Sequence, residues 1–286
     1  MTLDNEWFSE IDESQGSAFS LKVKEKLHEH QSPFQRVEVY ATKTFGNLMV
    51  IDGFIMLSDR DNFVYHEMLA HPALFTHPNP RRVLIIGGGD CGTLREVLRH
   101  PNVDEVTQVD IDEAVTAAAV TYFPTLCESN SDPRAKVMFA DGIAWVRDAE
   151  DGTYDVIIVD STDPVGPAQG LFSEAFFRDC LRALSERGVL VQQSESPLFH
   201  LSNILKPMHQ SMWNAGFSDV HTLHFPQCVY PSGWWSATIA RNGGQVKDFR
   251  ETDAANKVFA TQYYNADIHR ASLATPEFMR RALRDD

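Results

Sequence analysis

From residue 83 to residue 193 the chain alternates short aliphatic runs with stretches of helical period. The runs VLII (83–86), VTQV (106–109), VIIV (156–159) and GVLV (188–191) are continuously apolar or nearly so, as strands buried on both faces of a parallel sheet must be. AKVMF (135–139) reads as a further strand. TLREVLRH, EAVTAAAVTYF, GIAWVRDA and SEAFFRDCLRAL lie between them with helical spacing, and NILKPMHQSMWNAGF predicts a helix begun or interrupted near Pro207. Alternating strands and helices predict an α/β fold with a Rossmann-like, doubly wound parallel sheet. Upstream the period is two. RVEVYAT, LMVID and FIMLS alternate apolar and polar positions, and Asp52-Gly53 is a hairpin signal. This predicts a small antiparallel β domain over residues 1–60, with a catalytic domain over 61–286. DNFVYHEMLAHPAL predicts a helix capped by Asp61 and ending near Pro72. PNPRR (78–82) reads as a linker, and the stretch after residue 256 as helical pieces.

Three of the predicted strands run into acidic residues: VLIIGGGD ends at Asp90, VTQVDID passes through Asp110, and VIIVDSTD holds Asp160 and Asp163. Ligands of open α/β sheets bind outside the carboxyl ends of the strands. One pocket therefore gathers these four acids, and it suits a cationic ligand while repelling phosphate. The bulk charge agrees. With 25 Lys and Arg against 40 Asp and Glu among 286 residues, the formal net charge is -15, which disfavours nucleic acid and anionic membrane as partners. The four cysteines are scattered with no CxxC pair, the acidic N-terminus has no signal-peptide character, and no apolar run reaches membrane-spanning length. A reducing cytoplasm is the expected location.

Gly87, Gly88, Gly89 and Gly92 satisfy G-x-G-x-x-G between a strand and a helix, and Asp110 stands about twenty residues on, where a ribose-binding acid belongs. In a dinucleotide enzyme this turn carries a pyrophosphate. Asp90 in the turn opposes that. Either Asp90 is a helix cap and nothing more, or the ligand is a nucleoside with a positive charge, such as an S-adenosyl sulfonium. Asp110 offers two acceptors to neighbouring ribose hydroxyls. Asp141-Gly142 closes the AKVMFAD strand and is either a strand-to-helix cap or a contact for the adenine amino group. The segment DSTDPVGPAQGLF, with two acids, two prolines and two glycines, reads as a stiff acidic loop able to hold an amine. His66-Glu67 is next followed by a histidine at His71, one residue too far for the zinc-protease H-E-x-x-H, so no metal is expected.

GGGDCGTLREV, VDID, ADG, DSTDPVGPAQGLF, the YHEM at 65–68, the YPSG at 230–233 and the YYN at 263–265 together resemble the polyamine aminopropyltransferases. The resemblance spans nearly the whole chain. It implies a small N-terminal β domain, a Rossmann-like catalytic domain of the S-adenosylmethionine-methyltransferase kind, and a homodimer or homotetramer. The implied reaction moves the aminopropyl group of decarboxylated S-adenosylmethionine, a co-substrate rather than a resident cofactor, to an amine, commonly putrescine. By motif, Gln35, Asp90, Asp110, Asp141, Gly142 and Pro167 would contact the donor. Asp90 and Asp160 would hold its ammonium, and Asp160 would accept the proton. Tyr65, His66, Asp163 and Tyr230 would line the acceptor channel, with Glu195 at its far end. The chain departs from the family pattern in places. Asp110 stands where Glu is commoner, Cys91 where many members have Gly, and the bulky Trp234 and Trp235 follow YPSG.

The implied chemistry needs no nucleophilic residue or metal, because sulfonium is a good leaving group. The difficulty is the acceptor. An alkyl ammonium with a pKa of ~10.4 costs about 4–5 kcal/mol to deprotonate at pH 7. Clustered acids are expected to raise one another's pKa, so that Asp160 takes that proton, while apolar walls lower the amine's. A methyltransferase and a non-catalytic polyamine- or nucleoside-binding protein are the alternative readings of the same sheet and loop.

Overall fold

The computed structural model describes residues 3–162 and 166–283. Five antiparallel strands come first: β1 (Trp7–Asp12), β2 (Ser17–Gln31), β3 (Arg36–Thr42), β4 (Asn47–Ile51) and β5 (Phe54–Ser58), in spatial order of sequence. The β4–β5 turn has Asp52 and Gly53 at φ 52° and 94°, the left-handed pair that a two-residue hairpin demands. The expected β unit is present, but its sheet begins earlier than the alternating pattern indicated. β1 inverts the usual pattern, with Glu10 buried and Ile11 exposed, and most of β2 is polar, so both carry too weak a signal to be recognised.

α1 (Asn62–Thr76) leads into the second sheet. It does not stop near Pro72 but runs through it, and it is buried from Val64 to Thr76. Burial on this scale outweighs the ~3 kcal/mol that an internal proline costs. Asp61 also fails as a side-chain cap. Its carboxylate accepts from Ser58 Oγ at 2.5 Å and from the Val229 N–H at 3.2 Å, stitching α1 to a distant loop.

The remaining elements are β6 (Arg82–Gly87), α2 (Gly92–Leu98), β7 (Glu105–Asp110), α3 (Glu113–Tyr122), β8 (Ala135–Phe139), α4 (Gly142–Asp148), β9 (Tyr154–Asp160), a 3-10 stretch (Gly166–Phe172), α5 (Glu174–Ala183) and β10 (Leu184–Gln193). A π turn (Leu201–Leu205) then feeds α6 (Lys206–Ala215), followed by β11 (Asp219–Pro226), β12 (Trp234–Arg241) and the short helices α7 (Glu251–Ala255), α8 (Ala266–Ser272) and α9 (Glu277–Ala282). The seven-stranded sheet has the order β11-β12-β10-β9-β6-β7-β8. It is doubly wound but not wholly parallel. β12 lies antiparallel to both β10 and β11, and this closing pair was not foreseen from the sequence. Its histidines, threonines and serines break the apolar run that marks the central strands.

One apolar cluster packs α1 and α2 on one face of the sheet, and a second packs α4, α5 and α6 on the other. A third joins β3, β4 and β5 to α3, so that the first sheet leans over the β7 side of the second. The chain runs outward from β6 to β7 and β8, then returns to β9 on the opposite side of β6. The crevice at the carboxyl ends of β6 and β9 is thus the topological switch point, where ligands of such sheets bind. Gly87 and Asp160 are register partners there.

Candidate active site

At that crevice lies a cavity of about 470 Å3. Its floor is the glycine turn Gly87, Gly88, Gly89 and Asp90, and its far walls are Asp110, Asp141-Gly142 and Asp160. Tyr65 and Tyr230 enter from the α1 side, and Gln35, Met49, Ile51 and Met56 from the first sheet. Of the residues singled out in the sequence, Gln35, Tyr65, Asp90, Asp110, Asp141, Gly142, Asp160 and Tyr230 are brought to one cavity. Asp163 lies outside the described residues, and Pro167 falls in the 3-10 stretch.

The backbone explains the glycines. Gly87 has φ +81°, and a Cβ there would stand 2.1 Å from the Asp160 carbonyl oxygen. That oxygen accepts from the Gly88 N–H at 2.7 Å, so the turn is tied to β9 at the position of the acid. A Cβ on Gly92 would strike the His66 ring at 2.2 Å, which ties α2 to α1. Cys91 takes the left-handed conformation at φ 68°, a backbone state that glycine adopts most easily. Asp90 is in the turn rather than on the strand, and its Oδ1 accepts from the Gly92 N–H at 2.6 Å. Asp90 is not the helix N-cap, a place taken by Cys91 without a side-chain cap bond; its carboxylate closes the turn from one residue earlier and stands in the cavity wall.

Asp90 and Asp160 stand together but their electrostatics diverge. Asp160 is buried, with 9% of its surface still exposed at the cavity. Its Oδ1 accepts from Tyr65 Oη at 2.8 Å and its Oδ2 from Thr93 Oγ1 at 2.6 Å. Burial, then the Asp90 charge, raise its pKa to about 6 despite these donors. Asp90 goes the other way. Burial pushes it up, but His66, with Nε2 at 3.2 Å from Oδ1, and the Gly92 amide hold it below the usual value. The expectation that clustered acids raise one another thus holds for Asp160 and fails for Asp90, because the imidazole gives Asp90 its own counter-charge. His66 lies behind Asp90 rather than on the cavity wall, and its pKa is raised by Asp90 against the effect of burial.

The other end of the cavity is built differently. Asp110 is buried, and its Oδ1 accepts from the Asp112 N–H at 2.8 Å. Burial raises it to about 6. Asp141 is exposed and caps α4, accepting from the Ile143 and Ala144 amides at 2.8 and 3.3 Å. Gly142 permits the close approach of Ile86, whose Cγ2 a Cβ would meet at 2.5 Å. Ile86, Ile143, Val109 and Leu171 give this end an apolar lining suited to a flat base.

Glu195 is not on the cavity wall. It is buried with φ +66°, close to Gln193 Nε2 (3.2 Å) and His200 Nδ1 (3.5 Å). Trp235 packs edge-on against Tyr230 at 4.6 Å between ring centres, and Tyr230 Oη in turn donates to the Met56 carbonyl. Trp234 faces away, against His224 and Phe278. Thr93 was missed at the level of sequence. Its only signal was a hydroxyl in the first turn after the glycine loop.

Comparison with known proteins accords with this geometry. Residues 62–250 match the model of the spermine/spermidine synthase domain, and residues 6–59 that of the spermidine synthase tetramerisation domain. The chain is 63% identical over 283 residues to a polyamine aminopropyltransferase of Thioalkalivibrio sulfidiphilus, covering 99% of each. It is 62% identical over 280 residues to one of Methylococcus capsulatus, covering 98% of each. Among solved structures, a spermidine synthase in complex with the transition-state analogue AdoDATO superposes with a TM-score of 0.94 at 35% identity, over 99% of this chain and 96% of that one.

Proposed function

This chain belongs to the spermine/spermidine synthase family, and we propose that it is the aminopropyltransferase that carries the aminopropyl group of decarboxylated S-adenosylmethionine to putrescine, giving spermidine and 5'-methylthioadenosine. The observation that carries this reading is the pairing of Asp90 and Asp160, two enclosed carboxylates with opposite pKa shifts at one end of a nucleoside-sized cavity. Two acids pushed apart in this way take separate roles.

The donor's adenosine lies at the apolar end, its ribose hydroxyls on Asp110 and its base between Ile86 and Ile143 near Asp141. Gln35 and the 3-10 stretch that contains Pro167 close over it. Asp90, kept ionised by His66, holds the aminopropyl ammonium. The acceptor enters between Tyr65 and Tyr230, with Asp163 proposed toward its distal end and Glu195, off the cavity wall, not in contact with it. Its nitrogen attacks the methylene next to sulfur. The C–N bond forms, the C–S bond breaks, and the bonding pair returns to sulfur, which leaves as a neutral thioether. The positive charge passes to the new secondary ammonium, the acceptor's own ammonium having first given a proton to Asp160 so that its nitrogen has a lone pair to attack with. Raising Asp160 from 3.8 to about 6 narrows the gap to an alkyl ammonium by about 3 kcal/mol. Both of its oxygens retain a lone pair beside their present hydrogen bonds.

Charge also selects the donor. The carboxylate of ordinary S-adenosylmethionine would meet Asp90 and Asp160, while the decarboxylated form brings only ammonium. The first sheet is the proposed assembly surface, since its residues match a tetramerisation model. No helix among the described residues is long and apolar enough to cross a membrane. The cytoplasm, where both substrates would be met, is the proposed location.

A mass-spectrometric assay with decarboxylated S-adenosylmethionine and a panel of diamines tests the reading. Methylthioadenosine and spermidine are expected with putrescine. Nucleoside binding without transfer to any amine would overturn it.

A further inference from the structure

The carboxylate of Asp160 is gripped on both oxygens by hydroxyls from two different helices. Tyr65 on α1 donates to Oδ1 at 2.8 Å, and Thr93 on α2 donates to Oδ2 at 2.6 Å. Thr93 is fully buried, does not line the cavity, and belongs to no element of the proposed substrate contacts. Its helix begins directly after the glycine turn, so it links that turn to the end of β9. From this geometry we infer that Thr93 is a positioning residue for the transfer reaction, holding Oδ2 of Asp160 so that the carboxylate presents a fixed lone pair to the acceptor amine and stays ionised until the proton arrives.

The inference rests on the function proposed above and deepens it. Asp160 is faced by Asp90 from the glycine turn, by Tyr65 and His66 from α1, by Tyr230 from the loop before β12 and by Asp110 from β7. Asp90 and Asp110 disfavour the ionised form and His66 favours it. Thr93 is an uncharged hydroxyl, so its removal perturbs the balance without altering the charge of the cluster. A donor to a carboxylate stabilises the ionised form, so losing it moves the titration upward. A threonine hydroxyl has a further capability. Once Asp160 is protonated on Oδ2, it turns from donor to acceptor, so the group remains satisfied in both protonation states.

The test compares Thr93→Val, which keeps shape and removes the hydroxyl, with Thr93→Ser, which keeps the hydroxyl. Turnover is followed from pH 5.5 to 9. The acceptor's own ionisation is the same for all three proteins, so differences between them report the enzyme. In T93V the acid limb is expected to move up by about one pH unit, a ~5-fold loss at pH 6 with little change at pH 9. T93S should follow the wild type. A purely structural role would lower activity evenly across pH, and that result, or coincident limbs for T93V and wild type, overturns the inference. A second readout needs no turnover. The carboxyl 13C resonance of Asp160, assigned with Asp160→Asn, should titrate about one unit higher in T93V. If the wild type makes no methylthioadenosine, the functional reading fails while this titration still decides the role of Thr93.

Discussion

The two ends of the cavity are lined by similar residues and solve different problems. At the end proposed for the amines, Asp90 and Asp160 are held mainly by side chains, an imidazole, a phenol and a threonine hydroxyl drawn from α1 and α2, with the Gly92 amide added on Asp90. At the end proposed for the nucleoside, Asp110 and Asp141 accept from backbone amides at the starts of α3 and α4. Backbone amides are fixed donors that cannot exchange roles. Hydroxyls and imidazoles can donate or accept, and imidazole can carry charge. On the proposed reaction, side-chain partners therefore suit the end where a proton would move, and backbone partners the end where a neutral sugar and base would need only be positioned.

The severest way to break this contrast is Asp160→Asn. Turnover should fall by about 10³-fold or more, as for loss of a general base, while methylthioadenosine affinity, read by calorimetry, stays within about threefold. An equal loss of both would mean that the two ends are not separable. Asp90→Asn comes next. Donor KM is expected to rise ~30–100-fold, and the preference for the decarboxylated donor over S-adenosylmethionine should narrow in competition assays. Asp110→Asn, at the other end, should weaken methylthioadenosine by about 10-fold and leave kcat nearly unchanged, since it loses one charged acceptor and no proton path.

Stability provides the smallest and sharpest comparison. The folded pKa of Asp110 is raised to about 6 from an unfolded value near 3.9, so its contribution is fully present below the unfolded value and lost as pH rises through about 6. Above that, the folded protein carries an enclosed charge. Asp110→Asn should accordingly stabilise the protein by about 1–2 kcal/mol at pH 8 and by nothing at pH 4, measured as the difference in thermal midpoint against wild type.

Much of the fold is legible in the chain. VLII, VTQV and VIIV become β6, β7 and β9 because runs apolar on both faces can be satisfied only in the middle of a sheet. The hidden parts are those whose burial is decided by distant partners. β11 and β12 carry histidine, threonine and serine inward where those side chains meet partners such as His209 with Thr222 and Ser194 with Ser236. α1 crosses Pro72 because it is packed from Val64 to Thr76, a fact about its neighbours and not its sequence. In the candidate site, the acids were visible as strand-end residues. Thr93 was not, because a single hydroxyl gains meaning only when a residue 67 positions away stands 2.6 Å from it.

By itself the sequence determined the α/β alternation, the glycine turn and the gathering of carboxylates at one sheet edge, because these follow from local period and from the rule that strands of a parallel sheet end on the same side. Tertiary structure alone decided which of those carboxylates would take up a proton more readily. Asp90 and Asp160 are the same residue type at the same edge. Only the placement of His66 beside one, and of burial and the neighbouring Asp90 charge around the other, drives their pKa values in opposite directions. Charge is written in the chain, but the free energy of that charge depends on distance and on the exclusion of water, and both are properties of the fold.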